Sequence, residues 1–116
     1  EWKVLNNYNN TTKVKELVVL PGQALSWQKH QNRSEIWFVR EGLATVYYST
    51  DTEGTLNFVK KVKKHQSFNL YKNKWHQLVN EEDYVLSVIE IQYGDDCSES
   101  DILRKPRPST GICEVY

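Results

Sequence analysis

Residues 28–35 read Gln28-Lys29-His30-Gln31-Asn32-Arg33-Ser34-Glu35. Gln28 and His30 stand two positions apart, so on one β-strand their side chains point to the same face. Glu35 follows a short polar break and opens an apolar run, so a turn between two antiparallel strands is predicted to carry its carboxylate back toward His30. His76 lies in a later strand-like run. An amide, two imidazoles and a carboxylate around a cavity would suit zinc, manganese or a similar divalent ion, although polar residues near a turn are more often simply solvated.

Short strands separated by turn signals run through the whole chain. Apolar, β-branched runs end at Pro21-Gly22, at Glu41-Gly42 and at the hairpin loop Asp51–Gly54. No stretch has the 3.6-residue periodicity of an ordinary amphipathic helix, so we predict no helix longer than about three turns. We predict an all-β single domain, a sandwich or small barrel, formed by residues 1–104, with residues 105–116 as an extended C-terminal tail.

The alternation of side chains along the strands predicts which of them face the interior. Glu35, Trp37 and Val39 share one face of their strand, and Glu90 shares a face with Val88 in the last long strand. If these faces point inward, the candidate ligands lie inside the barrel near one mouth.

The charge balance and the apolar content of the chain bear on its possible partners and location. Basic and acidic residues balance at 15 each, which gives no reason to expect a nucleic-acid or membrane surface. No apolar run is long enough to cross a bilayer, and Glu1–Val4 lacks the apolar stretch of a signal peptide. We therefore expect a cytoplasmic protein in which Cys97 and Cys113 are free thiols.

The residues described above resemble the two motifs of the cupin superfamily. The first motif of that family places two metal ligands on one strand, a Glu a few residues later and then a Gly, and the second motif adds a His followed by an Asn. The matching positions are Gln28, His30, Glu35 and Gly42 for the first motif, and His76 and Asn80 for the second.

The chain is similar in particular to the C-terminal cupin domain of type II mannose-6-phosphate isomerases, which is often fused to a mannose-1-phosphate guanylyltransferase. The similarity rests on Pro21–His30, Arg33–Trp37, Glu90–Gly94 and Asp101–Arg104, and it covers roughly residues 2–104. It implies a double-stranded β-helix (jelly-roll barrel), a homodimer, and metal-dependent interconversion of mannose 6-phosphate and fructose 6-phosphate. The metal ligands implied are Gln28, His30, Glu35 and His76.

Isomerisation of a sugar phosphate moves a proton between adjacent carbons, so it requires a general base and a group that stabilises negative charge. The inward parity of Glu90 makes it a candidate base, or else a residue that orients a ligand or pairs with a lysine. The resemblance implies a catalytic role for Arg33, whereas a salt bridge is the structural alternative. Candidate substrate contacts are Lys74 and Arg104 for the phosphate, and Trp37, which is more typical of a core residue, for the sugar face.

The chain departs from the family pattern at several positions of the second motif. His65 stands where the family has a Gly, Tyr71-Lys72-Asn73 where it has Pro-Ala-Gly, and Trp75 where it has a Pro. We expect these changes at the mouth of the cavity, where they would affect the substrate more than the metal. Three functions remain open, namely a sugar-phosphate isomerase, a non-catalytic module that binds metal and sugar, and an iron-dependent oxygenase, which the amide ligand Gln28 disfavours.

Overall fold

A computed structural model gives the structure of the chain and describes residues 2–9, 11–55, 57–98, 100–107 and 112–115, with residues 2, 6–9 and 112–115 described as backbone only. Within these residues the regular structure consists of strands, and no helix is present. The strands are β1 (Trp2–Asn9), β2 (Thr12–Val19), β3 (Gln28–Lys29), β4 (Arg33–Glu41), β5 (Ala44–Tyr48), β6 (Asn57–Val62), β7 (Ser67–Leu70), β8 (His76–Val79), β9 (Leu86–Gly94), β10 (Leu103–Arg104) and β11 (Ile112–Val115). The part of the chain that the structure describes thus holds no helix of the length and apolar character that crossing a bilayer requires.

The strands form two sheets that face each other. One sheet has the order β1-β2-β9-β4-β7 and the other β10-β3-β8-β5-β6-β11. Apart from β5 and β6, which form the predicted hairpin, most consecutive strands from β2 to β10 alternate between the sheets. This connectivity is that of a jelly-roll barrel, so the all-β cupin fold expected from the sequence is confirmed.

The turn after His30 differs from the expected hairpin. Strand β3 pairs with β8 and β10 in one sheet, whereas β4 pairs with β7 and β9 in the other. The prediction that Gln28 and Glu35 lie on paired antiparallel strands was therefore wrong. The segment crosses from one sheet to the other at the end of the barrel, and this crossing is what turns both Glu35 and His30 toward the space between the sheets.

The C-terminal segment contains more regular structure than the expected tail. Strand β11 pairs in parallel with β6, and Ile112 lies opposite Asn57 in the register. Backbone hydrogen bonds of this kind fix the position of an extended segment on a sheet edge. The family resemblance, by contrast, ends near Arg104.

The interior is divided into an apolar end and a polar end along the same strands. The predicted inward parity of β4 and β9 is confirmed, because Glu35 and Trp37 are 1% and 2% exposed and Glu90 is 4% exposed. Moving along β4, the inward side chains change from Arg33 and Glu35 to Trp37 and Val39. The apolar core is formed by buried side chains that contact one another. They are Leu17, Val19, Trp37, Val39, Ala44, Val46, Val62, Leu70, Leu78, Leu86 and Val88. This core holds the sheets together and leaves the other end free for polar side chains.

Two of the departures from the family pattern retain the backbone geometry of a glycine. His65 and Asn73 have φ values of 68° and 64°, in the left-handed region. L-residues enter this region at a cost of roughly 1–2 kcal/mol, and Asn is among those that tolerate it best. At both positions a non-glycine residue thus adopts a backbone conformation that favours the glycine of the resembled pattern.

Candidate metal centre

Three of the four predicted ligands converge at the polar end of the barrel. His30 follows β3, Glu35 lies on β4 and His76 begins β8, and all three side chains are buried. One ligand atom from each lies within 4.8 Å of those of the other two. His30 Nε2 is 3.2 Å from Glu35 Oε2, and His76 Nε2 is 3.7 Å from Glu35 Oε1. Two sheets thus bring together the imidazoles and the carboxylate that the sequence analysis selected.

The backbone sets the orientation of both imidazole rings. His30 Nδ1 donates to the carbonyl oxygen of Asp101 at 2.7 Å, and His76 Nδ1 donates to that of Lys74 at 3.1 Å. A carbonyl oxygen only accepts hydrogen bonds, so each neutral ring carries its proton on Nδ1 and its lone pair on Nε2. Metal-binding histidines are commonly fixed in this way by a second hydrogen bond. Both Nε2 atoms therefore present lone pairs to the cluster.

His76 has the properties of a ligand that lacks its partner. Its Nε2 atom is buried without a hydrogen bond, and the 3.7 Å to Glu35 Oε1 is too long for one. Burial, only partly opposed by the charge of Glu35, lowers the pKa of His76 to about 4, so the ring is neutral at pH 7. A buried, neutral imidazole with an unused lone pair beside a carboxylate fits a divalent metal ion.

The carboxylate of Glu35 is ionised and forms an ion pair with the guanidinium of Arg33. Burial acts to raise the pKa of Glu35, but the polar groups that surround the carboxylate, among them the imidazoles of His30 and His76, outweigh burial and hold the pKa below its ordinary value. Arg33 donates to Glu35 Oε2 through Nε at 3.1 Å and through Nη2 at 3.0 Å. Arg33 Nη2 also lies 3.1 Å from His30 Nε2. The guanidinium of Arg33 therefore occupies one side of the ligand cluster.

Gln28, the fourth predicted ligand, lies beside the cluster with its amide engaged elsewhere. Its Cα atom is paired with that of His76 across β3 and β8, which places it on the correct strand. Its Oε1 atom accepts a hydrogen bond from Ser26 Oγ at 3.0 Å. This oxygen keeps a second lone pair, and ligation by Gln28 alongside the three converging residues stays a prediction.

Trp37 and Glu90 form a second layer behind the carboxylate. Trp37 Nε1 donates to Glu35 Oε1 at 3.0 Å and to Glu90 Oε2 at 2.9 Å, and Gln92 Nε2 donates to Glu90 Oε1 at 2.6 Å. Trp37 is buried and packs edge-on against His76, as expected for the core residue that the sequence analysis gave as the alternative. Its hydrogen bonds position Glu35 and Glu90, and its role in substrate binding stays a prediction.

The environment of Glu90 favours its protonated form. Burial, together with the neighbouring charge of Glu35, raises the pKa of Glu90 to about 8. At neutral pH the side chain is then a carboxylic acid, so the predicted general base is in its resting state a proton donor. Two carboxyl groups whose surroundings separate their pKa values are typical of sites that transfer protons.

The raised pKa of Glu90 predicts how stability depends on pH. The folded protein binds this proton more tightly than the unfolded chain, so the stability gained is complete below pH 4.5 and is lost as pH rises through about 8. His76, whose pKa is lowered from 6.5 to about 4, acts in the opposite direction and only below pH 6.5. We therefore expect the free energy of unfolding of the metal-free protein, measured by urea denaturation, to fall by on the order of 1–2 kcal/mol between pH 6.5 and 8.

The variant Glu90→Gln should abolish this fall, because an amide can donate to Glu35 at every pH in the range. Glu41→Gln, which changes an exposed carboxylate paired with Lys64, serves as the matched control and should retain the fall. An unchanged pH dependence in Glu90→Gln would contradict the assignment.

A cavity of about 140 Å³ adjoins the cluster. Arg33 and Glu90 line it together with Gln28, and Arg104 from β10 lies at its exposed side. The predicted phosphate contact Arg104 is thus close to the predicted catalytic residues. Lys15, which the sequence analysis passed over, also lines the cavity and is only 3% exposed.

Lys74 and the altered turn of the second motif line a different cavity. This cavity measures about 300 Å³ and is bordered by Tyr48, Phe68, Tyr71, Lys74 and Trp75. Lys74 Nζ donates to the carbonyl oxygen of Thr50 at 2.9 Å. Lys74 and the altered turn thus line a different cavity from the one that Arg33 and Glu90 line, and the expected contact of Lys74 with the substrate stays a prediction.

Asp101 is a further residue that the sequence analysis did not select for the site. Its carboxylate accepts hydrogen bonds from the backbone N–H groups of Gln31 at 3.1 Å and Asn32 at 2.8 Å. Its carbonyl oxygen receives the Nδ1 proton of His30. Asp101 thus holds both the loop that carries the ligands and the orientation of one ligand. Cys97, in the same C-terminal segment, is a buried free thiol as expected, whereas the side chain of Cys113 lies outside the described residues.

Comparison with known proteins agrees with this geometry. The family model described as mannose-6-phosphate isomerase C-terminal matches residues 1–106. Mannose-1-phosphate guanylyltransferase 2 of Escherichia coli O157:H7 is 34% identical over 93 residues, which are 80% of this chain and 18% of that protein. The xanthan biosynthesis protein XanB of Xanthomonas campestris pv. campestris strain B100 is 36% identical over 91 residues, 78% of this chain and 18% of that protein. The chain thus spans about a fifth of the length of these relatives.

Solved structures resemble the chain in fold. An uncharacterised conserved protein with a double-stranded β-helix domain from Klebsiella pneumoniae subsp. pneumoniae MGH 78578 superposes with a TM-score of 0.73 at 14% identity. The superposition covers 90% of this chain and 82% of that chain. This likeness confirms the double-stranded β-helix independently of the strand order.

Proposed function

The chain belongs to the family described as mannose-6-phosphate isomerase C-terminal, and from that premise we propose that it is a metal-dependent sugar-phosphate isomerase. The reaction proposed is the interconversion of mannose 6-phosphate and fructose 6-phosphate or of a related aldose–ketose pair. The observation that carries the proposal is the buried Nε2 atom of His76, which has no hydrogen-bond partner and faces the ionised Glu35. Such an arrangement is costly unless another group completes it.

His30, Glu35 and His76 are the residues that would hold the metal ion. When bound, a divalent ion supplies electrophilic stabilisation of negative charge on the oxygens of the substrate. Arg33, whose guanidinium borders both the cluster and the cavity, adds positive charge on the same side as the substrate. This charge would stabilise an enediolate without requiring a proton transfer.

Glu90 would transfer the proton. It lines the cavity, and its pKa of about 8 keeps a proton available near neutral pH. In its ionised form, which a pKa of about 8 leaves partly populated near neutral pH, it would take the C–H proton from the carbon next to the carbonyl group, which gives the enediolate. It would then return that proton to the adjacent carbon, while the hydroxyl proton passes to the former carbonyl oxygen, so that Glu90 is ionised again at the end. A pKa close to the working pH suits both directions of transfer.

The size of the cavity favours a second candidate function. A cavity of about 140 Å³ is smaller than the sites that usually enclose small-molecule ligands, which measure roughly 300–1,000 Å³. A complete hexose phosphate would have to extend beyond this cavity. A non-catalytic module that binds metal and part of a sugar is therefore the alternative.

A coupled assay on the metal-loaded chain decides between the two functions. Mannose 6-phosphate and fructose 6-phosphate are each supplied as substrate, with unphosphorylated mannose as the control. The isomerase proposal expects turnover of both phosphates that disappears on chelation and returns with zinc or manganese. Binding heat for a hexose phosphate in calorimetry without turnover would establish the binding module instead.

A further inference from the structure

We propose that Lys15 and Arg104 form an anion subsite that holds the phosphoryl group of the substrate, an inference that rests on the proposed function for the identity of that substrate. Both residues line the cavity next to Arg33. Nothing in the family resemblance drew attention to Lys15, which lies on β2 within an apolar strand. The subsite is inferred from where these cations lie and from the groups around them.

Lys15 occupies a position where a lysine is unusual. It shares the inward face of β2 with Leu17 and Val19, and its 3% exposure matches theirs of 4% and 2%. Lysine is almost never fully buried, because removing its ammonium group from water is costly. On the neighbouring strand β9 its Cα partner is Glu90. Lys15 therefore lies on the same inward face as the apolar side chains of β2 and across from Glu90, the proposed proton-transferring residue.

Three basic side chains and one acidic side chain line the cavity among the described residues. They are Lys15, Arg33, Arg104 and Glu90. The charge of Arg33 is directed at Glu35, whereas Arg104 is exposed and donates through Nε to Ser26 Oγ at 3.2 Å. An ammonium and a guanidinium that line the same cavity are suited to the several acceptor oxygens of a phosphate.

The dimensions of the cavity suit a phosphoryl group. A volume of about 140 Å³ holds a few water-sized groups, since one water occupies about 30 Å³ in the liquid. That is enough for a phosphate but not for a whole sugar phosphate. With the phosphate held between Lys15 and Arg104, the sugar would extend past Arg33 toward His30, Glu35 and His76. Arg33 then lies between the anchoring group and the reacting carbons.

Titration of the metal-free chain, residues 1–116, with inorganic phosphate in a calorimeter tests the subsite without involving catalysis. We expect binding that weakens by at least about tenfold in Lys15→Gln and in Arg104→Gln, because each removes a charge-assisted contact. Lys64→Gln is the matched control. It removes an equal charge at the opposite end of β4, where Lys64 pairs with Glu41, and should leave binding unchanged.

Arg104→Gln keeps the test valid if Lys15→Gln fails to fold, since Arg104 lies at the surface. Phosphate affinity that is equal in the wild type and in Arg104→Gln would overturn the proposal. In the isomerase assay, the two variants should raise KM for the hexose phosphate at least about tenfold with a smaller change in kcat. Turnover with an unchanged KM would overturn the subsite but not the isomerase, whereas phosphate binding that depends on these residues without turnover would support the subsite and refute the isomerase.

Discussion

Replacing His76 by alanine is expected to lower the affinity for zinc or manganese by at least about a hundredfold and to abolish isomerase activity. His76 supplies the buried Nε2 lone pair that has no other partner, and its low pKa means that no proton competes for that lone pair near pH 7. Glu35 and His30 alone leave too few protein ligands for tight binding of a divalent ion. Calorimetry and metal analysis of the dialysed protein measure the loss.

His65→Ala is the matched control for His76→Ala. The chain contains three histidines, and His65 is the exposed one, stacked on Phe38 at the opposite end of β4. It should bind metal like the wild type. Thermal unfolding in the presence of a chelator verifies that His76→Ala is folded. A folded His76→Ala protein that retains the wild-type metal content would refute the proposed centre.

The predictions from the sequence agree best with the structure where they rest only on the two-residue alternation of side chains along a strand. That alternation placed Glu35 and Trp37 on the inward face of β4 and Glu90 on that of β9, as the structure confirms. It could not show that β3 and β4 belong to different sheets, because strand pairing depends on contacts distant in the sequence. His30 and Glu35 still meet, since a crossing at the end of a barrel and a hairpin both reverse the chain.

The sequence analysis missed Asp101 and Lys15 for physical reasons. Asp101 acts through its backbone, and Lys15 is an exception to the alternation of polar and apolar side chains along a strand. Asp101 orients His30 through a carbonyl oxygen 71 positions away, and a carbonyl oxygen is present at every residue. Lys15 interrupts a row of inward-facing apolar side chains. In a single sequence, a lysine in a loosely alternating strand is typical of an outward-facing residue. Lys74, a candidate phosphate contact in the sequence analysis, lines a different cavity from Arg33 and Glu90, which only the folded chain can show.

Arg33→Ala is expected to lower turnover at least about tenfold while metal binding is retained. Loss of one group that stabilises negative charge in a water-excluded site typically costs a few kcal/mol of barrier. Metal affinity should not fall, because Arg33 Nη2 lies 3.1 Å from His30 Nε2 and so competes with a metal ion for that lone pair. Without the guanidinium both His30 and Glu35 are more accessible to the ion. Kinetics on protein of measured metal content separates these two effects.

Arg33→Lys distinguishes a role in charge stabilisation from a purely structural one. Lysine keeps the positive charge but cannot reproduce the two contacts that Arg33 makes with Glu35 Oε2 through Nε and Nη2. Partial recovery of kcat in this variant, with KM close to that of Arg33→Ala, is expected if the charge acts on the substrate. If instead metal content and activity fall in parallel in both variants, Arg33 serves only to hold Glu35 in place. The opposite directions expected for metal affinity and turnover make Arg33 the residue whose replacement best separates binding from catalysis at this centre.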